Sequence, residues 1–175
     1  MKDNAAVGQS KCYGVSIISR SQWGALRSTR LIPVLEPKYI KHIFIHHTDD
    51  GESCYDYESC IKRVRQLQSY DQINKNWPDI GYNWLVGGDG LVYEGRGWFI
   101  EGSHTINYNQ RSIGIAFIGN YDRYQPKQSM VEALDDFISC AIKRGILSPN
   151  VQIHAHRDAK CKYKIFKNIY SNKNF

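Results

Sequence analysis

No stretch of this 175-residue chain stays apolar for the roughly 20 residues that a membrane-spanning helix needs, so no membrane-spanning helix is expected within it. Residues Met1 to Gly14 also lack the apolar core of a secretory leader. Two expectations follow: a secreted protein whose leader is absent from this chain, or an intracellular one. Internal repeats and low-complexity tracts are missing, which leaves one globular domain, residues 16–175, behind a polar tail, residues 1–15. Acidic residues are scarce at the C-terminal end. From Arg157 onward six basic residues (Arg157, Lys160, Lys162, Lys164, Lys167, Lys173) face Asp158 alone, within a net charge of +6. Such an end suits a solvated terminus or an anionic partner: nucleic acid, membrane surface or cell-wall polymer. No nucleic-acid motif accompanies the charge, so no nucleic-acid partner is expected. Cysteine is sparse and odd in number: Cys12, Cys54, Cys60, Cys140 and Cys161. Cys54 and Cys60 are close enough for a local staple. Cys12 and Cys140 could tie the tail to a late helix, which leaves Cys161 over. The alternative is five reduced thiols, although two sensible pairs fit an oxidising compartment better.

What is present alternates between strand and helix patterns. Ile17 to Arg20 and Tyr39 to His46 read as strands, the second ending at a histidine pair. Tyr57, Ile61, Val64 and Leu67 define one helix face. Ile80 to Val86 and Leu91 to Glu94 flank Gly87-Gly88-Asp89-Gly90, a hairpin signal. Ser112 to Ile118 is a further strand. Ser129 and Glu132 form a capping-box pattern before a helix that buries Leu134, Phe137, Ile138, Ala141 and Ile142 and stops at Lys143-Arg144-Gly145. Val151 to Ala155 is a last strand, and Ile165 to Ser171 a short terminal helix. The fold class expected is α/β, a central mixed sheet flanked by helices.

Three segments carry histidine: His46-His47-Thr48, His104-Thr105, and His154-Ala155-His156 with Cys161 beyond. Two strand ends that meet at one sheet edge, each with a histidine, plus a nearby thiol, can supply the three protein ligands of a catalytic zinc site. Scattered histidines that are merely structural are the other reading.

Longer motifs occur in order: Ser19-Arg20-Ser21-Gln22-Trp23-Gly24, Ile45-His46-His47-Thr48, Asp79-Ile80-Gly81-Tyr82-Asn83-Trp84-Leu85-Val86-Gly87, Val92-Tyr93-Glu94-Gly95-Arg96-Gly97-Trp98, Tyr108-Asn109, Ser112-Ile113-Gly114-Ile115-Ala116-Phe117-Ile118-Gly119-Asn120 and His156-Arg157-Asp158. In order and spacing they resemble the peptidoglycan recognition proteins across residues 16–158. The resemblance implies the fold of phage-type zinc amidases, with a surface groove for muropeptide and a role in innate immunity. It matches Cys54–Cys60 to the family's usual disulfide. It implies zinc held by His46, His156 and Cys161, with Tyr82 as the catalytic tyrosine. It also implies groove-lining roles for Asn76, Trp77, Tyr82, Trp84, His104, Tyr108, Asn109 and Arg111; Trp84 equally suits a core position and Arg111 a surface ion pair. Trp77 and Arg111 look like the diaminopimelate-binding variant, Asn76 like the lysine variant.

One departure stands out. The family's third ligand precedes Pro-Gly in a longer loop, whereas this chain reads Asp158-Ala159-Lys160-Cys161-Lys162-Tyr163-Lys164. Family members that lose this ligand bind the wall without cutting it. The resemblance therefore implies a zinc N-acetylmuramoyl-L-alanine amidase or, alternatively, a non-catalytic receptor that signals through protein partners. The basic C-terminal end generates a separate expectation. It should strengthen attachment to isolated wall sacculi at low salt and lose that effect at high salt, because exposed charges are screened over about 8–10 Å near physiological ionic strength. Pull-down that is independent of salt would assign the end no role.

Overall fold

The structure, a computed structural model, describes residues 14–155. Its strands are β1 (Ile17–Ile18), β2 (His42–His47), β3 (Trp84–Val86), β4 (Val92–Glu94), β5 (Ser112–Phe117) and β6 (Gln152–Ala155). Its helices are α1 (Arg20–Trp23), α2 (Tyr57–Ile73) and α3 (Gln128–Lys143). The strands form one six-stranded sheet in the order β1-β4-β3-β5-β2-β6. β3 and β4 pair antiparallel, as the glycine-rich hairpin predicts, and every other pairing is parallel. The mixed sheet with flanking helices is the expected class. Among the described residues no helix is long and apolar enough to cross a membrane.

Strand alternation divides the side chains between two faces. Ile43 and Ile45, Ile113, Ile115 and Phe117, and Trp84 and Val86 share one apolar cluster with Met130, Leu134, Phe137, Ile138 and Ala141 of α3. On the other face Leu85, Tyr93 and Ile118 pack with Cys60, Ile61, Val64 and Leu67 of α2. That second cluster stops short of β2, where His42, Phe44 and His46 take the corresponding positions. Tyr57, predicted in the α2 stripe, is exposed at the helix start.

Local chemistry explains several boundaries. Asp56 caps α2: its carboxylate accepts the Ser59 N–H at 2.9 Å, and that bond holds the carboxyl below its ordinary range. The strand expected over Ile17 to Arg20 ends at Ile18, because the Gln22 side chain reaches back to the Ser19 N–H at 2.9 Å and opens α1. The strand expected from Tyr39 starts only at His42. Pro37 opens a 3-10 turn over Pro37–Tyr39 instead. The Ser129–Glu132 box does not form. The residue before α3 is Lys127, without a side-chain cap, and Ser129 lies inside the helix. Met130 is buried with its sulfur 3.3 Å from the Tyr121 hydroxyl, and this packing accompanies the earlier start. Gly145, at φ +68°, ends α3 as predicted.

The cysteine expectations are met where they can be seen. Cys54 and Cys60 are disulfide-bonded. Gly88 lets the hairpin lie on this staple, since a Cβ there would overlap the Cys54 carbonyl oxygen. Cys140 is also in a disulfide; its expected partner Cys12, like Cys161, His156 and the 165–171 helix, lies outside the described residues.

Trp84 requires a correction. It does not line a groove. Its side chain is 4% exposed, on the α3 face, with ring centroids 4.8 Å from Phe137 and 5.0 Å from Trp98. Alternation sends Trp84 and Leu85 to opposite faces, and Leu85 occupies the α2 side. Trp84→Ala is therefore expected to cost about 3–5 kcal/mol of stability, read as a lower denaturant midpoint at unchanged m value. A loss below about 1 kcal/mol would remove the ring from the core.

Candidate functional site

β2 lies between β5 and β6, and the register sets which histidines meet. Phe44 pairs with His154 and with Gly114, and His46 pairs with Ala116. Glycine and alanine at those β5 positions leave the face beside β2 shallow, and the His104 ring fills it. A Cβ on Gly114 would overlap that ring. The ring centroids of His46 and His104 stand 5.0 Å apart at a steep angle, and Tyr82 lies 5.4 Å from His46.

His46 is 7% exposed and its Nε2 faces a polar pair. His104 Nδ1 is 3.1 Å from it, and Thr105 Oγ1 is 3.4 Å from it. Thr105 Oγ1 and His104 Nδ1 are themselves 2.9 Å apart. The turn carrying both residues is held by Asn109, whose Oδ1 accepts the N–H of His104 at 3.0 Å and of Thr105 at 2.8 Å. Asn109 thus orients the site through the backbone. Tyr82 is half-buried, and its hydroxyl is 3.5 Å from the His47 carbonyl. Burial, then the charges of Asp71 and Asp49, push the phenol well above its usual range. The folded state therefore holds this proton more tightly than the unfolded chain does. The linked stabilisation is complete below about pH 10 and is withdrawn above it, so Tyr82 is an O–H donor at neutral pH.

A second cluster continues the face. His42 Nδ1 is 3.0 Å from His154 Nε2. Phe44 stacks on His154 at 5.1 Å and meets Tyr108 edge-on at 5.0 Å. The Arg111 guanidinium sits 4.8 Å over the Tyr108 ring. Burial, His154 and Arg111 together pull the His42 imidazole below its ordinary value. Trp77 approaches from the 76–82 segment, packed so closely on Gly81 that a Cβ there would strike its ring. The Lys75 ammonium is 4.3 Å from the same ring. Asn76 adopts a left-handed conformation at φ +52°, and its carbonyl accepts from the Arg30 guanidinium.

The structure thus brings together His46, Tyr82, His104, Tyr108, Asn109 and Arg111. It sets Trp77 and Asn76 on the segment leading to Tyr82, and turns Trp84 away. Sequence reading missed Thr105, His42 and His154 as members. Alternation from His46 back to His42, and the adjacency of Thr105 to His104, were the available signals.

Two donor sets bear on a metal. His46 would present Nδ1, since Nε2 is turned to Thr105 and His104; ligating histidines commonly use their second nitrogen in this way. His47, Asp49 and Asp122 also bring ligand-type atoms within 4.8 Å of one another. They do not fit an ion. His47 Nδ1 accepts the Tyr121 N–H at 3.1 Å, so its proton sits on Nε2, facing Asp122 at 3.5 Å.

A family model described as N-acetylmuramoyl-L-alanine amidase matches residues 36–165. The chain is 40% identical over 144 residues to peptidoglycan-recognition protein SC2 of Drosophila melanogaster, covering 82% of this chain and 77% of that protein. It is 39% identical over 146 residues to peptidoglycan recognition protein 1 of Bos taurus, covering 83% and 75%. Among solved structures, the ectodomain of the Drosophila transmembrane receptor PGRP-LCa superposes with a TM-score of 0.81 at 32% identity, covering 91% of this chain and 98% of that one. Peptidoglycan recognition protein-LE, solved in complex with tracheal cytotoxin, a monomeric diaminopimelic acid-type peptidoglycan, superposes at 0.77 with 34% identity, covering 81% and 82%. Fold, motifs and relatives agree: the chain belongs to the peptidoglycan recognition protein family, on the N-acetylmuramoyl-L-alanine amidase fold.

Proposed function

We propose that this protein binds bacterial muropeptide across the face built on β2 and cleaves the amide between N-acetylmuramic acid and L-alanine, as a secreted zinc amidase of innate immunity. The observation that carries the reading is His46: a family-matched histidine with Nε2 facing polar partners, beside a half-buried Tyr82. His46, His156 and Cys161 are the ligands proposed. His156 follows Ala155, which pairs with Ile45, the residue before His46. Zinc bound there supplies Lewis-acid polarisation of the amide carbonyl and activation of water. The chain's own residues do the rest. The Tyr82 phenol, kept protonated by burial, donates to the oxygen that gains charge as the carbonyl is attacked. Lys160 and Lys162 favour the Cys161 thiolate.

For binding, Tyr108 and Trp77 offer ring surface to sugar and stem peptide. Arg111, the diaminopimelate-type feature, offers a guanidinium fork to a carboxylate. Support for muropeptide as ligand comes from the relative crystallised with tracheal cytotoxin. A second reading, a receptor that binds without cutting and signals through immune protein partners, is favoured by one observation. The stretch Asp158 to Lys164 lacks the Pro-Gly that follows the family's third ligand.

The two readings separate in solution. The unaltered protein should take up one zinc after reconstitution and release stem peptide from muropeptide. Cys161→Ser should lose both zinc and cleavage. Tyr82→Phe should keep zinc and slow cleavage by roughly 100-fold, the size of losing one oxyanion donor. Muropeptide binding with no zinc uptake by the unaltered protein would falsify the amidase reading and leave the receptor. Calorimetry checks the groove: Tyr108→Ala or Trp77→Ala should weaken muropeptide binding by about 1–3 kcal/mol without unfolding the chain. Full affinity in both variants would place the ligand on another face.

A further inference from the structure

The Lys75 ammonium lies among three side chains. It is 2.7 Å from Asp71 Oδ1, 4.3 Å from the centre of the Trp77 ring and 5.3 Å from the centre of the Tyr70 ring. Both ring distances fall within the roughly 6 Å over which a cation is drawn to an aromatic face. Asp71 is 3% exposed, and its other carboxylate oxygen accepts the Gly81 N–H at 2.8 Å. The Trp77 ring is packed on that same Gly81. We infer that Lys75 is a positioning residue for muropeptide binding: anchored on Asp71, its ammonium holds the Trp77 ring against Gly81 and so fixes the surface that Trp77 offers to the ligand. The inference rests on the groove reading above and gives Lys75 and Asp71 a task that no motif of the chain assigns.

The arrangement follows from how α2 ends. Asp71 and Lys75 are four residues apart, so they meet on one side of the helix end, with the acid preceding the base as such pairs prefer. A carboxylate near a helix C-terminus is opposed by the helix dipole, and a buried one needs donors. Lys75 and the Gly81 N–H supply them from beyond the last helical residue, Ile73. Asn76 then adopts its left-handed conformation, which asparagine tolerates better than most residues. The chain turns back there, the Trp77 N–H reaches the Asp71 carbonyl at 3.0 Å, and the indole comes beneath the ammonium. Asp71 therefore holds both ends of the 77–81 segment, Trp77 through its carbonyl and Gly81 through its carboxylate.

These backbone bonds fix where Trp77 begins and leave its side-chain torsions to packing. Gly81 gives the ring a close seat. A Cβ there would come within 2.6 Å of the ring and 2.9 Å of the Ser103 carbonyl oxygen. Lys75 adds a charge drawn to the same ring. Its side chain is 40% exposed, so the ammonium would be free to leave for solvent without the Asp71 bond. The ion pair thus acts on the ring: the carboxylate holds the cation, and the cation holds the indole.

Two readouts test this, one without ligand and one with it. Acrylamide quenching reports Trp77 alone when each protein is compared with its Trp77→Phe counterpart. Lys75→Met, which keeps an unbranched side chain and loses the charge, should raise the quenching constant of Trp77. In calorimetry it should weaken binding of a monomeric diaminopimelate-type muropeptide by about 2- to 10-fold, the range of a partly exposed cation–ring contact. Lys75→Arg, which can still pair with Asp71 and stack on the ring, should restore both values. In a Trp77→Ala background Lys75→Met should change affinity no further, because the ring through which it acts is gone. The denaturant midpoint of each variant verifies that the chain is folded. Where Trp77→Ala weakens binding, three results would overturn the inference. They are quenching or affinity unchanged by Lys75→Met, an arginine variant as impaired as methionine, or a methionine effect of equal size with and without the Trp77 ring. The last would put Lys75 on the ligand itself. Full affinity in Trp77→Ala defeats the placement of the groove instead, and the quenching comparison still decides for or against Lys75.

Discussion

The register of β2 between β5 and β6 is the constraint on which the rest depends. Period-two alternation puts Ile43 and Ile45 against α3 and puts His42, Phe44 and His46 on the other face. A slip of one residue would bury imidazoles in the α3 core and expose isoleucines, so the register is strongly specified. The same register brings His154 to Phe44 and Gly114 opposite it, which is where the His104 ring fits. The site is a consequence of how the apolar face pairs.

A buried polar network then fixes the segments that reach this face. The Arg96 guanidinium donates to the carbonyls of Asp79, Ile80 and Glu101. Burial pulls its affinity for the proton down, and Asp79, Asp71 and Glu101 push it back up. Asn83 donates to the Gly97 and Ile100 carbonyls and accepts the Gly114 N–H. Asp71 accepts the Gly81 N–H, and the Ser103 N–H reaches the Gly81 carbonyl. Gly81 precedes Tyr82 and Ser103 precedes His104, so the Ser103–Gly81 backbone bond ties the two segments together just ahead of both side chains. Leaving any one of these buried groups unpaired would cost about 1–3 kcal/mol, so the two walls of the site are stiffly linked.

The division between recognition and cleavage falls along the same lines. Aromatic rings, Arg111 and the histidine face suit a ligand of mixed sugar and peptide character whether or not an ion is held. On the proposed amidase reading, cleavage asks more: a third ligand from the sequence that follows β6. Members of one family can therefore share the groove and differ in activity, because binding draws on many residues and the metal on three.

Much of this was legible in the chain itself. The β2 alternation, the α2 stripe, the hairpin glycines and the Gly145 stop are local signals, written in periodicity and backbone freedom, and the structure follows them. The motif order from Ser19 to Asn120 led to the family, and Cys54–Cys60 is bonded as that resemblance implied. Other features depended on partners distant in sequence. Ser129 and Glu132 have the chemistry of a cap, but the helix starts before them. Trp84 sits inside a site motif, yet pleating sends it to Phe137. Asn109 looked like a ligand contact and holds a turn; Thr105 was only the neighbour of a histidine until folding set its hydroxyl near His46. The sequence by itself determined where strands alternate, which helix face is apolar and where glycines turn or stop the chain, because those preferences are local. Only the tertiary structure decided which nitrogen faces which oxygen, because that depends on packing between segments nearly 60 residues apart.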